Sequence, residues 1–284
     1  MADLLNKDLE SLCSSSPSIH TTDQRVFQRL YAFGILPLVP SVSVPSVLDS
    51  IEQIASLSHL KGVIMGTKGV GRGLDDHALE PIWSLLAEKK LVVFIHPHYG
   101  VEAAWGENDN GHVLPLALGF PFETTTAITR IILSGVLDRH PDLRLLIAHS
   151  GAALPALSSR LASCIHHDPV TASRLKHDAR YYLGKLWYDA VAYGPEELEF
   201  VSRVVERSKR YDGPVQMGTE RIMFGTDHPF FPPLNSTDKW MSVIENLDAI
   251  ETVASWTREE KDGICGNNAI KLLGLGSTST NTTL

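Results

Sequence analysis

Histidine and aspartate side chains occur at three points where a short apolar run of the sequence ends. His96 and His98 follow LVVFI, His149 follows LRLLIA, and Asp227 and His228 follow RIMFG. Imidazole nitrogens and carboxylate oxygens are ligands that a borderline cation such as Zn²⁺ accepts. A histidine that ends a buried strand can instead hydrogen-bond a neighbouring loop, but three coincident strand ends favour a metal site at which these residues converge.

The apolar runs alternate with longer amphipathic segments, which is the pattern of βα units around a parallel sheet. Six runs are predicted as strands, at residues 34–40, 62–68, 91–98, 143–151, 186–193 and 221–229. The predicted helices cover residues 46–57, 77–88, 124–138, 151–164, 195–210, 236–247 and 258–273. A barrel and a doubly wound sheet both place a site at the carboxyl ends of such strands.

The glycine-rich sequence GTKGVGRG, residues 66–73, follows a predicted strand but opens no good helix. A dinucleotide-binding sheet is therefore less favoured than an α/β fold of the (β/α)₈ TIM-type barrel. Since such a barrel needs eight strands and the sequence predicts six, we expect a barrel that lacks its first two strands. We expect a single, N-terminally incomplete barrel domain over residues 1–275 and a flexible tail over 276–284, where the sequence is low in complexity.

Composition excludes several classes of partner. The chain of 284 residues has 25 basic and 33 acidic side chains, a net charge of −8, and no run rich in Lys or Arg. A nucleic-acid or anionic-membrane partner would require a concentrated positive field. The sequence has no apolar run near the roughly 20 residues of a membrane span and no signal-peptide pattern. Its three cysteines are widely spaced, as expected for reduced thiols. We expect a cytosolic protein that acts on small molecules.

Several sequence segments carry a resemblance to a known family. FIHPH, GFPFETTTAI, IAHSGAALPALSSR and FGTDHPF resemble segments of the amidohydrolase-superfamily decarboxylases related to aminocarboxymuconate semialdehyde decarboxylase. That branch includes fungal decarboxylases of 6-methylsalicylate and of pyrimidine carboxylates. The likeness extends from about Asn6 to Leu275. It implies a metal-dependent amidohydrolase-type barrel, a divalent metal of the Zn²⁺ type and a homodimer.

The resemblance also implies a set of metal ligands. His96 matches the ligand on the fifth strand of the family, Asp227 the ligand on the eighth, and His149 the histidine on the sixth, near metal and substrate. The family's HxH pair on the first strand has no counterpart. His20 has no histidine two residues away and is not accepted as a replacement. The six predicted strands therefore correspond to strands three to eight of the family.

Three further residues are predicted to bind substrate. The resemblance implies the first two, and the third lies in a loop at the face of the barrel where loops set specificity. Arg160, eleven residues after His149, matches an arginine that reaches the substrate carboxylate, in some members across a dimer interface. Phe230, three residues after Asp227, matches a ring that stacks on a flat substrate, and His98 would line the pocket. An exposed helix arginine and a core aromatic residue are the alternatives for the first two.

The function implied is metal-dependent, non-oxidative decarboxylation of a small aromatic carboxylate, specifically of 6-methylsalicylate to m-cresol and CO₂. Asp227 would deliver the proton to the ring carbon, while His149 would orient the substrate or relay the proton. Two alternatives stay open. A metal-bound water could hydrolyse an ester, lactone or amide, and a barrel without the HxH pair could be catalytically inactive.

Overall fold

The strands of the chain form one parallel sheet and one small hairpin. The computed structural model describes residues 1–20, 26–98, 111–235 and 238–275. Two short strands, β1 (Ser18–His20) and β2 (Val26–Gln28), pair in antiparallel orientation. Six strands form the parallel sheet in the order of the chain: β3 (Ala32–Ile35), β4 (Leu60–Gly66), β5 (Val92–His96), β6 (Arg144–Ile147), β7 (Trp187–Asp189) and β8 (Ile222–Met223).

Helices precede, connect and follow the sheet strands. They are α1 (Ala2–Ser14), α2 (Val44–Ser56), α3 (Glu80–Glu88), α4 (Phe120–Leu133), α5 (Val136–Arg139), α6 (Leu154–His166), α7 (Pro169–Ala172), α8 (Ala179–Leu183), α9 (Pro195–Glu206), α10 (Met241–Thr252), α11 (Arg258–Asp262) and α12 (Asn268–Leu273). Among the described residues, none of the helices combines the length and the apolar character that crossing a membrane requires.

The elements follow the predicted order, but several bounds differ. The predicted strand at 186–193 is shortened to Trp187–Asp189. The predicted helix at 124–138 is divided at Gly135, which has a φ of 72° and separates α4 from α5. The predicted helix at 258–273 contains a π-helical turn over Gly263–Asn267 between α11 and α12. Apolar periodicity thus located the elements, whereas local backbone geometry set their ends.

Alternate residues of the strands form two apolar layers. In β5, Val93 and Ile95 pack into the main core, while Val92 and Phe94 belong to a smaller cluster on the opposite face, which we call the inner face. Because side chains alternate along a strand, His96 shares the inner face with Phe94. The two rings are 5.6 Å apart between centroids. The strand itself therefore directs His96 to the inner face.

The end strands of the parallel sheet are β3 and β8, and they do not pair with each other within the described residues. A closed barrel of eight strands would place two more strands between them. The hairpin of β1 and β2 does not fill this gap, because it is separate from the parallel sheet. The prediction of six parallel strands is confirmed.

Side chains from helices bond to the backbone of both end strands. The Asn6 amide of α1 donates to the Ile35 carbonyl at 3.0 Å and accepts from the Ile35 N–H at 2.8 Å. At the other end, the Asn268 amide donates to the Ile222 carbonyl at 2.7 Å. These contacts satisfy backbone groups that a neighbouring strand would otherwise bond.

Candidate metal centre

Three side chains from three strand ends converge on the inner face of the sheet. His96 ends β5, His149 follows β6, and Asp227 follows β8. Asp227 Oδ1 is 3.6 Å from His96 Nε2, and Asp227 Oδ2 is 3.5 Å from His149 Nε2. One ligand atom from each residue lies within 4.8 Å of the other two. Two imidazole nitrogens and a carboxylate oxygen at this spacing fit a divalent cation of the Zn²⁺ type.

Hydrogen bonding orients one of these ligands. His96 Nδ1 is 2.9 Å from the Pro97 carbonyl oxygen, which can only accept. Nδ1 therefore carries a proton, which leaves Nε2, the ring atom that faces Asp227 and His149, as the atom that can bind a metal. Metal-ligating histidines are commonly fixed in this way by a hydrogen bond from the other ring nitrogen. The His149 Nδ1 atom, in contrast, is buried without a hydrogen-bond partner among the described residues.

Asp189, which the sequence analysis did not single out, holds the turn that carries His149. His149 and Ser150 have φ angles of 56° and 53°, a left-handed conformation that costs a non-glycine residue roughly 1–2 kcal/mol. The buried Asp189 carboxylate accepts from the backbone N–H groups of His149 at 3.1 Å, Ser150 at 2.8 Å and Val191 at 3.1 Å. The signal in the sequence that could have identified Asp189 was the presence of an aspartate within the predicted strand at 186–193.

The pKa shifts of Asp227 and His149 have opposite directions. Burial raises the pKa of Asp227, but its interactions with His149 and His96 outweigh burial and lower the pKa to about 2. Burial lowers the pKa of His149, but Asp227 and the charge of Asp189 outweigh it and raise the pKa. The pair therefore favours a carboxylate on Asp227 and a proton on His149.

Two cavities meet at this group of ligands. The larger cavity, of about 830 Å³, is lined by His96, His149 and Asp227 together with mostly apolar side chains. The smaller cavity, of about 530 Å³, lies against the inner face of the sheet and also includes His96 and Asp227. A small molecule in the larger cavity could therefore contact all three side chains.

Glu123 connects the ends of two neighbouring strands beside the site. Its Oε1 atom accepts from the His98 backbone N–H at 3.3 Å and from the hydroxyl of Thr67. His98 lines the smaller cavity. Partial burial and the charge of His96 lower the pKa of His98, while Glu123 opposes this shift. Glu123 thus holds the segment that follows β5.

The residues predicted to bind substrate lie in different surroundings. Phe230 lines both cavities, and its ring is nearly perpendicular to that of Phe120, with 6.4 Å between centroids. Arg160 is exposed on α6, and in the described part of the chain it lines neither cavity. The structure therefore brings Phe230 and His98 to the site and leaves Arg160 outside the cavities of its own chain.

Comparison with known proteins agrees with this architecture. Residues 25–275 match the family model described as Amidohydrolase. The 2-amino-3-carboxymuconate-6-semialdehyde decarboxylase of Dictyostelium discoideum is 28% identical over 276 residues, which are 97% of this chain and 67% of that protein. The 6-methylsalicylic acid decarboxylase of Penicillium expansum is 31% identical over 204 residues, 70% of this chain and 58% of that protein. The crystal structure of Metarhizium anisopliae IDCase in apo form has a TM-score of 0.81 and 38% identity, and the match covers 96% of this chain and 69% of that one.

The chain belongs to the amidohydrolase family. Its fold is the α/β, TIM-type barrel architecture of that family, with six of the parallel strands in the described residues. The two curated relatives named above are both decarboxylases. The chain spans 58% to 67% of the length of these two proteins.

Proposed function

We propose that the chain acts in the metal-dependent, non-oxidative decarboxylation of a small aromatic carboxylic acid, with 6-methylsalicylate as substrate and m-cresol and CO₂ as products. The observation that carries this proposal is the convergence of His96, His149 and Asp227, with one ligand atom from each within 4.8 Å, beside a largely apolar cavity. An aromatic ring suits the apolar wall, and a carboxylate suits a cationic centre. The names of the two curated relatives support the same reaction class.

A divalent cation of the Zn²⁺ type bound by these residues would orient the carboxylate and ortho oxygens of the substrate and withdraw negative charge. Direct loss of CO₂ would leave an aryl anion, so the ring carbon that bears the carboxylate is protonated first. Asp227 would deliver the proton to the ring carbon, and His149, whose Nε2 atom is 3.5 Å from Asp227 Oδ2, would orient the substrate or relay the proton. When CO₂ leaves, the electron pair of the broken carbon–carbon bond returns to the ring.

Substrate positioning is assigned to three further residues. Phe230, in the wall of both cavities, would stack on the ring, and His98 would contact its edge. Arg160 is exposed on α6, so we assign it to a substrate held by a second copy in a homodimer. A guanidinium group suits this role because its planar fork matches a carboxylate.

The proposal is tested by measuring bound metal and released CO₂ on the same samples. The purified chain is loaded with Zn²⁺, its metal content is measured by plasma mass spectrometry, and CO₂ release from 6-methylsalicylate is followed. We expect near-stoichiometric metal and CO₂ in the wild type. The variants H96A and D227N should lose both, because each removes a ligand.

His166→Ala is the matched control, because His166 is exposed on α6 and lines neither cavity in the described part of the chain. It should retain metal and activity. Stoichiometric metal without CO₂ from any aromatic acid would overturn the reaction. Hydrolysis of an ester or lactone by the same samples would then assign the site to a hydrolase.

A further inference from the structure

The cavity beside the metal centre is larger than a single carboxylated ring requires. Its volume of about 830 Å³ lies toward the upper end of the roughly 300–1,000 Å³ typical of pockets that enclose drug-sized ligands. A benzoic acid with one methyl and one hydroxyl substituent would fill only part of this space. The remaining volume has room for a further apolar part of the ligand, which would gain contacts with the apolar walls.

Exposure along the cavity shows which end is deep and which is open. The side chains of His96 and His149 are 17% and 16% exposed, and that of Asp227 is 12% exposed. Apolar residues of the same cavity are far more accessible, with Val113 at 67% and Phe200 at 47%. The polar ligands therefore lie at the deep end, and the mouth is apolar.

The lining of the cavity suits a slender, uncharged group. Ala153 and Ala156, beside the start of α6, have short side chains, whereas aromatic side chains such as Phe200 narrow other parts of the cavity. Away from the metal ligands, the titratable side chains that line the cavity in the described part of the chain are two glutamates, a tyrosine and a histidine: Glu197, Glu245, Tyr193 and His112. The two glutamates are the acidic ones. Their charge disfavours an anionic substituent on the outer part of the ligand.

We propose that the outer part of this cavity binds an unbranched alkyl chain, so that the ligands of the site are aromatic carboxylic acids with a long alkyl substituent next to the carboxylate. The carboxylate end lies at His96, His149 and Asp227, and the chain extends past Ala156 toward the apolar mouth. This inference rests on the proposed function, which assigns the carboxylate to the deep end.

The test is a series of 6-alkylsalicylates with methyl, propyl, pentyl and heptyl chains. Their dissociation constants for the Zn²⁺-loaded chain are measured by calorimetry, and CO₂ release is measured in parallel. We expect affinity to rise about fourfold for each methylene that is buried. A heptyl analogue with a terminal carboxylate should bind more weakly than the neutral heptyl compound, because the acidic side chains repel it.

Two leucine variants on α6 separate a specific site from general hydrophobic adsorption. Ala156→Leu fills the outer cavity and should reduce the ratio of heptyl to methyl affinity about tenfold. Ser163→Leu adds the same side chain two helical turns away, at an exposed residue that lines neither cavity in the described part of the chain, and should leave the ratio unchanged.

The outcomes distinguish this inference from the proposed function. CO₂ release from the methyl compound with flat or falling affinity along the series overturns the alkyl site alone. Affinity that rises along the alkyl series to the same extent in Ala156→Leu and in Ser163→Leu also overturns the alkyl site, because the alkyl chain then binds elsewhere. Rising affinity that Ala156→Leu abolishes, without CO₂ from any member, supports the alkyl site and overturns the reaction.

Discussion

Replacing Asp189 with asparagine tests whether a buried carboxylate positions His149. The carboxylate accepts three backbone N–H groups, from His149, Ser150 and Val191. Asparagine keeps one oxygen and turns an NH₂ group toward a backbone N–H, so at least one of these hydrogen bonds is lost. His149 and Ser150 then lose part of the support for their left-handed conformation.

The expected loss of stability is a balance of three contributions to the free energy of unfolding. A hydrogen bond to a charged group contributes roughly 1.5–3 kcal/mol, and the left-handed residues cost roughly 1–2 kcal/mol each. Burial raises the pKa of Asp189 despite the opposing charge of His149 and the N–H groups, so a neutral amide recovers part of the desolvation cost. We expect D189N to be less stable by about 2 kcal/mol, which lowers Tm by about 4–8 °C.

The assay combines thermal unfolding with a Zn²⁺ titration. Displacing His149 should weaken metal affinity about 10–100-fold, the range found when the partners that orient metal ligands are removed. Asp248→Asn is the matched control, because Asp248 is exposed on α10. Unchanged Tm and unchanged metal affinity in D189N would refute the reasoning. Lost stability with unchanged metal affinity would show that Asp189 stabilises the turn without positioning the ligand.

Two other predictions concern parts of the fold away from the metal ligands. Asn6→Ala leaves the Ile35 N–H and carbonyl unbonded, so the free energy of unfolding measured in urea should fall by about 2 kcal/mol. The control is D8A, a change at an exposed residue of the same helix. A loss in Asn6→Ala no larger than in D8A would contradict this prediction. The hydrogen bond from Arg139 is the main cause that lowers the pKa of Glu80 from 4.5 to about 2. The ionised Glu80 carboxylate therefore stabilises the folded state above pH 4.5, and this stabilisation is lost as the pH falls toward 2. Because Glu80 is 36% exposed, E80Q should cost only about 1 kcal/mol at pH 7, and a difference that stays constant down to pH 3 would count against this assignment.

The sequence allowed the sheet and the three ligands to be predicted, but not the residue that orients one of them. His96, His149 and Asp227 each end an apolar run, and the ends of parallel strands share one edge, so their convergence follows from strand order. Asp189 acts on backbone N–H groups that include one 40 residues earlier in the chain. That contact depends on the exact path of the turn after β6, which neither periodicity nor residue type encodes.

Arg160 illustrates a second limit of reasoning from sequence. Its spacing from His149 matched a residue that contacts substrate, but helical geometry decides where the side chain points. Ala156, one turn earlier on α6, lines the cavity, whereas Arg160 is exposed. The spacing from His149 therefore places Arg160 on the helix face of Ala156, whereas its contact with a substrate stays a prediction.

The contacts of the two end strands explain how the six parallel strands in the described part of the chain can present a defined site. An end strand with free N–H and carbonyl groups invites pairing with another chain. Here the Asn6 amide bonds both groups of Ile35, and the Asn268 amide bonds the Ile222 carbonyl. A strand added beside β3 at this position would have to displace Asn6 and leave its buried amide unbonded. The helices thus protect the backbone of the end strands, while the strand ends that carry His96 and Asp227 remain open to the cavity.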